Sequence, residues 1–288
     1  MIENSFSIKE QSLQQTVDML LLNGTLTECT GLVHGKMGIA VFFFHYARYT
    51  GNELFVDYAM DLIDESMNQI HVNSPADYEK GLAGIGVGID YLIRNDFLDV
   101  EDDICEDFDQ RMVRAVMYDP WLDLSQYDGL VGYGRYWMTR LKYESSAVQA
   151  LQCLLRIVGL IEERFACITV GEQTDVYCFL FDLQQVSGFE SIIEKYVTAK
   201  DAEGLREGRN FFPRLGDSVT GNIVRMCQQN RYFNSKKQEE IDIALKQIPD
   251  LDMEKAPVSM GLLNGYAGEG MLRLMALNKA DILWVYLL

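Results

Sequence analysis

Proline is scarce in this chain, with five in 288 residues. Proline carries no N–H and fixes φ, so its rarity excludes a turn-rich all-β architecture and favours helices. Histidine is scarcer still, at three: His34, His45 and His71. Basic residues number 25 against 43 acidic ones, for a formal net charge of −18. A surface poor in clustered Lys and Arg cannot neutralise phosphates, which excludes nucleic acid and anionic membranes as partners. A basic peptide partner is compatible with it. No apolar run approaches the ~18 residues needed to cross a bilayer. The opening Met-Ile-Glu-Asn-Ser-Phe-Ser has neither the basic start nor the apolar core of a secretory signal. Six scattered cysteines (Cys29, Cys105, Cys153, Cys167, Cys178, Cys227) form no Cys-x-x-Cys pair. That spacing excludes a zinc knot and predicts reduced thiols in a cytoplasmic protein. The expectation is one soluble domain over residues 1–288, holding no metal and no cofactor.

What the chain does have is an internal repeat. Gly35-Lys-Met-Gly38, Gly81-Leu-Ala-Gly84, Gly129-Leu-Val-Gly132 and Gly265-Tyr-Ala-Gly268 share the pattern G-x-x-G before an apolar run. The first three start at intervals of 46 and 48 residues, about the length of a helical hairpin. Two eroded copies fit between the third and the last, at Gln185-Val-Ser-Gly188 and Ser218-Val-Thr-Gly221. Within the first unit, Ile39, Phe42, Phe43 and Tyr46 follow helical spacing. Gly51 ends that helix and Asn52 is placed to cap the next, which carries Phe55, Tyr58, Ala59 and Leu62 on one stripe. Leu151, Leu154, Leu155 and Val158 predict another such stripe. The strongest strand signal, Cys167-Ile-Thr-Val170, is weak. Each unit therefore reads as a helix opened by G-x-x-G, a turn and a second amphipathic helix. The fold class is all-α, an α/α toroid of about six hairpins with inner and outer helix rings. Glycine at each helix start relieves crowding between backbones. It also leaves room for helix N-termini to aim free N–H groups at a central pocket.

The longer segments Gly31-Leu-Val-His-Gly35-Lys-Met-Gly38, Gly81-Leu-Ala-Gly84-Ile-Gly86, Gly129-Leu-Val-Gly132-Tyr-Gly134 and Gly261-Leu-Leu-Asn-Gly265-Tyr-Ala-Gly268 resemble the double-glycine repeats of the lanthionine synthetase C-like (LanC-like) family. The resemblance implies a toroid whose inner helices surround a cavity. Members of that family usually have seven hairpins, whereas this chain has room for six. Catalytic members bind zinc through a lone cysteine and a Cys-His pair inside one glycine repeat. The metal there activates a peptide thiol for addition to a dehydrated Ser or Thr. This chain has no Cys-His dipeptide. Gly216 and Asp217 stand where that pair would be, and Leu263-Asn264 holds the place in the last copy. Zinc-dependent thioether synthesis is therefore not expected.

The residue before the first repeat glycine is polar in all four clear copies: His34, Lys80, Asp128 and Asn264. If the toroid holds, these ring the wet mouth of a cavity, with Tyr133, Trp137 and Tyr266 as aromatic walls. They form the expected ligand-binding set, for a peptide or small molecule. His34 matches a histidine to which acid–base chemistry is ascribed in catalytic family members. With Asp128, Asp217 and Glu269 it completes the candidate catalytic groups. Two functions follow. One is a zinc-less LanC-like protein that binds a peptide or small ligand and assists maturation of a modified peptide. The alternative is a metal-independent enzyme of the six-hairpin glycosidase type, using paired carboxylates beside Tyr127, Tyr133, Tyr136, Trp137 and Tyr266. A helical scaffold that binds a partner on its outer surface is a third class. The acidic stretch from Asp99 to Asp107 reads as a solvated face.

Overall fold

A computed structural model of the chain describes residues 8–100, 103–192, 215, 219–250 and 259–288. Among these residues there are eleven α-helices and no strand, only an isolated bridge between Ser259 and Gly265. The all-α expectation holds. No described helix is long and apolar enough to cross a membrane. The chain divides into two compact units. One comprises residues 1–71, 215–230 and 236–288, the other residues 72–214 and 231–235.

In the first unit, helix α2 (Lys36–Thr50) and helix α3 (Leu54–Asn68) form a hairpin. Gly51 ends α2 with φ 67° and donates its N–H to Ala47. The Asn52 side chain then accepts the Leu54 N–H at 3.1 Å, so the turn is made by the residues the sequence placed there. Every residue of α2 from Lys36 to Ala47 is buried, whereas α3 buries only Ala59, Leu62, Ile63 and Ser66. One helix is a core element and the other a lid with one apolar face. The last long helix, which we call α11 (Tyr266–Ala276), is as buried as α2 and packs on it. Helix α1 (Ile8–Asn23) packs on α11 in turn, so the N-terminal helix supplies the amphipathic partner of the last repeat.

The second unit repeats the alternation. Helices α4 (Leu82–Arg94) and α6 (Leu130–Arg140) are buried almost throughout, while α5 (Glu106–Met117) and α7 (Ala147–Arg164) each bury one face. On α7 that face is Ala150, Cys153, Leu154, Ile157, Leu160 and Ile161. The expected stripe is therefore misphased: Leu151 and Leu155 are exposed, at 41% and 54%. Helix α8 (Val170–Leu183) follows and packs on α6. The chain continues through α9 (Val219–Phe233) and α10 (Gln238–Lys246).

In all four clear copies the first glycine is the N-cap, in extended conformation, of α2, α4, α6 and α11. The loop before it folds back on the helix. The first helical N–H always donates to the carbonyl seven residues earlier: Lys36 to Cys29 (2.9 Å), Leu82 to Pro75 (3.0 Å), Leu130 to Asp123 (2.8 Å) and Tyr266 to Ser259 (3.0 Å). In three copies the second N–H repeats the step, Met37 to Thr30, Ala83 to Ala76 and Ala267 to Met260. These N-termini are thus satisfied by their own loops, which corrects the expectation of free N–H groups aimed at a ligand. The glycines are what let the loop lie so close. A Cβ at Gly132 would sit 2.6 Å from the Tyr78 Cβ and closer still to the Gln126 carbonyl oxygen.

Gly132→Ala is accordingly expected to destabilise the fold by about 2 kcal/mol through overpacking against fixed backbone. Gly159, inside α7, has open space where its Cβ would go. Gly159→Ala should stabilise by about 0.5–1 kcal/mol, from helix propensity alone. Urea midpoints moving in the same direction for both variants would refute the loop-closure role.

The fourth copy is not where the sequence suggested. Gln185–Gly188 lies in the turn after α8, and Gly188 has φ 94° and opens no helix. The fourth buried helix is α8, opened by Thr169 in a capping box with Glu172. The fifth copy is better placed, since Val219 to Gly221 form the start of α9, although Ser218 falls outside the described residues. The segment Cys167-Ile-Thr-Val170 is the end of a 3-10 turn leading into α8 and not a strand.

Candidate functional site

The polar residue before each repeat glycine is reachable, and in three of the four copies both its neighbours are buried. His34, Asp128 and Asn264 are half-buried and Lys80 is exposed, while Val33, Tyr127, Leu263 and the four glycines are buried. Asp217 lies outside the described residues.

In the first unit the loops of the last and first repeats meet. Leu263 N–H donates to the Val33 carbonyl at 3.1 Å, and a Cβ on Gly261 would overlap the His34 backbone. His34 and Asn264 are thereby carried on adjoining loops, with Asn264 at φ 52°, a conformation Asn tolerates well. Tyr266 is packed at 1% exposure, and burial raises its phenol pKa. Glu269 is committed to structure. It pairs with buried Arg273 at 2.5 Å and accepts the Thr220 hydroxyl, which ties α11 to the start of α9. Arg273 also donates to the Pro249 carbonyl at 3.2 Å.

In the second unit the same loop contact recurs between the second and third repeats, where Glu79 N–H donates to the Tyr127 carbonyl at 3.1 Å. The Asp77 carboxylate caps Lys80 N–H at 2.7 Å, and Asp123 caps Ser125 N–H at 2.6 Å. The next helix takes over on the far side: Glu172 of α8 accepts Leu124 N–H (3.0 Å) and Asp175 accepts Gln126 N–H (2.8 Å). Tyr133, on the first turn of α6, is 6% exposed. Burial, followed by the negative charges of Asp77, Asp128 and Asp123, pushes its phenol up to about 12. Burial also raises the Asp77 carboxyl; the capping N–H groups oppose this, and the charges of Asp128 and Glu79 reinforce it. Trp137, one turn further along α6, is fully buried edge-on to Tyr136 at 5.2 Å. Its Nε1 has no hydrogen-bond partner among the described residues. Sequence reasoning found Asp128 and Tyr133 but missed Asp77 and Asp123. The signal available was only a short polar residue in each loop, Asp77 four and Asp123 six positions before its repeat glycine, where it caps a loop N–H.

The residues present do not fit the family's zinc. Burial pushes the Cys105, Cys153 and Cys227 thiols up to about 12 and raises Cys178 well above its ordinary value, so these four favour the neutral thiol over the thiolate a metal needs. His34 is half-buried, His45 buried and His71 exposed. Among the described residues no three His, Cys, Asp or Glu side chains converge as metal ligands. No family model matches the chain, and no curated protein sequence matches it.

Proposed function

We propose that the chain is a six-hairpin ring of the LanC-like kind, without zinc ligands, that binds a peptide or small molecule at the loop end of its buried helices. In this reading it assists maturation of a modified peptide by holding it, with no metal chemistry of its own. The ring is supported by one recurrent contact. The last repeat meets the first through Leu263 N–H and the Val33 carbonyl, as the second meets the third through Glu79 N–H and the Tyr127 carbonyl. A third glycine supports it as well: Gly86 faces the Tyr136 ring, Gly134 the Phe179 ring and Gly270 the Phe42 ring, each on the next buried helix. Neighbouring repeats thus meet in the same way within each unit, which is what supports the ring reading.

The binding role rests on one observation, a reachable polar residue directly before a buried glycine in each of four loops. Few convergent polar groups on an apolar frame are the usual make-up of a ligand site. A thermal-shift screen of short peptides against wild type, His34→Ala and Asp128→Ala is the test. Hits that stabilise wild type should lose about 1–2 kcal/mol of binding in either variant. Identical shifts in all three proteins would remove these loops from any binding role.

A further inference from the structure

We infer that the aromatic segment 117–122, between α5 and α6, is a docking surface for a basic, partly apolar peptide segment, whose cationic side chain lies on the Trp121 ring. The surface stands outside the loop-end residues proposed above and does not depend on them.

The chain has three tryptophans, and two of them, Trp137 and Trp284, are fully buried. Trp121 is 63% exposed and Tyr118 80% exposed, with Met117 and Leu122 also open to solvent. A single exposed apolar side chain needs no partner, but four in six residues make a patch. The segment is not a frayed end. Tyr118 and Asp119 N–H groups both donate to the Arg114 carbonyl at 3.1 Å, which closes α5. Pro120 fixes its own φ. Leu130 N–H then holds the Asp123 carbonyl at 2.8 Å, tying the far side to the start of α6. Aromatic rings presented from a segment fixed at both sides offer large contact area at little entropic cost, and Trp and Tyr dominate interface hot spots for that reason.

Charge decides what covers the patch. Residues 117–123 carry two carboxylates, Asp119 and Asp123, and no base. A third, Glu172 of α8, accepts Leu124 N–H at 3.0 Å just beyond them. None of the three forms an ion pair among the described residues. A second copy would bring the same acidic rim against itself, with a formal charge of −18 on each side, and facing like charges repel. A basic peptide meets attraction instead. Its Arg or Lys can lie on the indole face, the best cation–π acceptor among side chains, while the carboxylates take up its remaining hydrogen bonds. The peptide's apolar residues cover Met117 and Leu122.

The test is titration of the full chain with a blocked hexapeptide of alternating leucine and arginine, followed by calorimetry and by tryptophan emission. Saturable binding is expected, with the Trp121 emission moving to shorter wavelength and becoming resistant to acrylamide quenching. The same peptide with citrulline in place of arginine should bind about tenfold more weakly. By calorimetry, Trp121→Ser should weaken the arginine peptide about thirtyfold and Asp119→Asn about threefold. Leu155→Ser removes an exposed apolar group from α7 and should leave affinity unchanged. No binding of the arginine peptide at millimolar concentration overturns the inference. So does equal binding of the citrulline peptide, or an equal loss in Leu155→Ser. An emission that shifts with protein concentration alone would mean that a second copy covers the patch, which also overturns it. Loss of binding in His34→Ala or Asp128→Ala, with Trp121→Ser unaffected, assigns the peptide to the loop end and rejects this surface. Should Trp121→Ser fail to fold, wild type decides: unchanged emission at saturating peptide rejects the surface.

Discussion

Replacing Arg140 by methionine is expected to remove about 3–5 kcal/mol of folding stability. The guanidinium is 2% exposed and serves two carboxylates: its Nε and Nη2 reach Asp109 at 2.9 and 2.8 Å, and its Nη1 reaches Asp103 at 2.7 Å. Asp109 also accepts the Tyr136 hydroxyl at 2.6 Å, so one arginine fastens the start of α5 to the end of α6. Methionine fills much of the volume but leaves the Asp109 carboxylate buried without its cation. The double variant Arg140→Met/Asp109→Leu should therefore recover part of the loss, which is the mark of a buried pair rather than of lost packing. The pH dependence carries a sign as well. Burial alone would raise the Asp103 carboxyl, but Arg140's hydrogen bonds and charge hold it below the ordinary value near 3.8. Its contribution is present above that value and is lost as pH falls through the lower, folded one. Urea unfolding of the single variant, the double variant and wild type tests the arrangement. A loss under about 1 kcal/mol in the single variant, typical of an exposed pair, would contradict it.

Acid should reach the fold earlier through His45. This side chain is 3% exposed on α2, and burial, then the charge of Arg48, lower its pKa from 6.5 to about 4. The folded state thus prefers the neutral ring, while the unfolded chain takes up a proton near 6.5. Stability from this group is complete above the unfolded value and drains away as pH falls from 6.5 towards 4. The drop amounts to about 3 kcal/mol. His45→Asn is expected to flatten the stability profile over that interval, whatever it does to stability at neutral pH. Arg48→Met should leave the onset near 6.5 but make the total loss smaller, because without that repulsion the folded pKa rises towards the unfolded one. Parallel profiles for wild type and His45→Asn would exclude this histidine as the source.

The parts of the fold legible in the sequence are those where backbone geometry leaves no choice of residue. A methyl on Gly35, Gly81 or Gly129 would collide with the loop carbonyl six residues earlier, so the repeat is written in glycine wherever the loop closes that way. At α8 the same task, satisfying the first N–H groups, is done by Thr169 and Glu172, and the glycine search passed over it. The capping box was readable as Thr-x-x-Glu, but only to an eye looking for caps. The α7 stripe failed for another reason. Val148, Leu151 and Leu155 make a second apolar face, and periodicity cannot tell which of two faces is buried. The acidic run from Asp99 was similarly half right: Glu106 and Asp107 are exposed, but Asp103 is claimed by Arg140, 37 residues away. Pairings across such gaps, like Gly86 with Tyr136, leave no trace in local pattern. Of the candidate site, the loop positions, Asp128 among them, were visible because they repeat; Asp77 and Asp123 were not, because they stand at different distances from their glycines.

The packing of α1 on α11 sets a clock on biosynthesis. Residues Ile8–Asn23 leave the ribosome long before their partner, Tyr266–Ala276. Until that partner is made, the earlier helix must wait with its core face, Leu13, Val17 and Leu20, uncovered. Joining segments so distant in sequence has a large loop-closure entropy and makes this seam slow to form. The waiting helix is thus where a holdase chaperone would engage the growing chain, and where crowding by other unfinished copies would seed an exchanged, intertwined dimer.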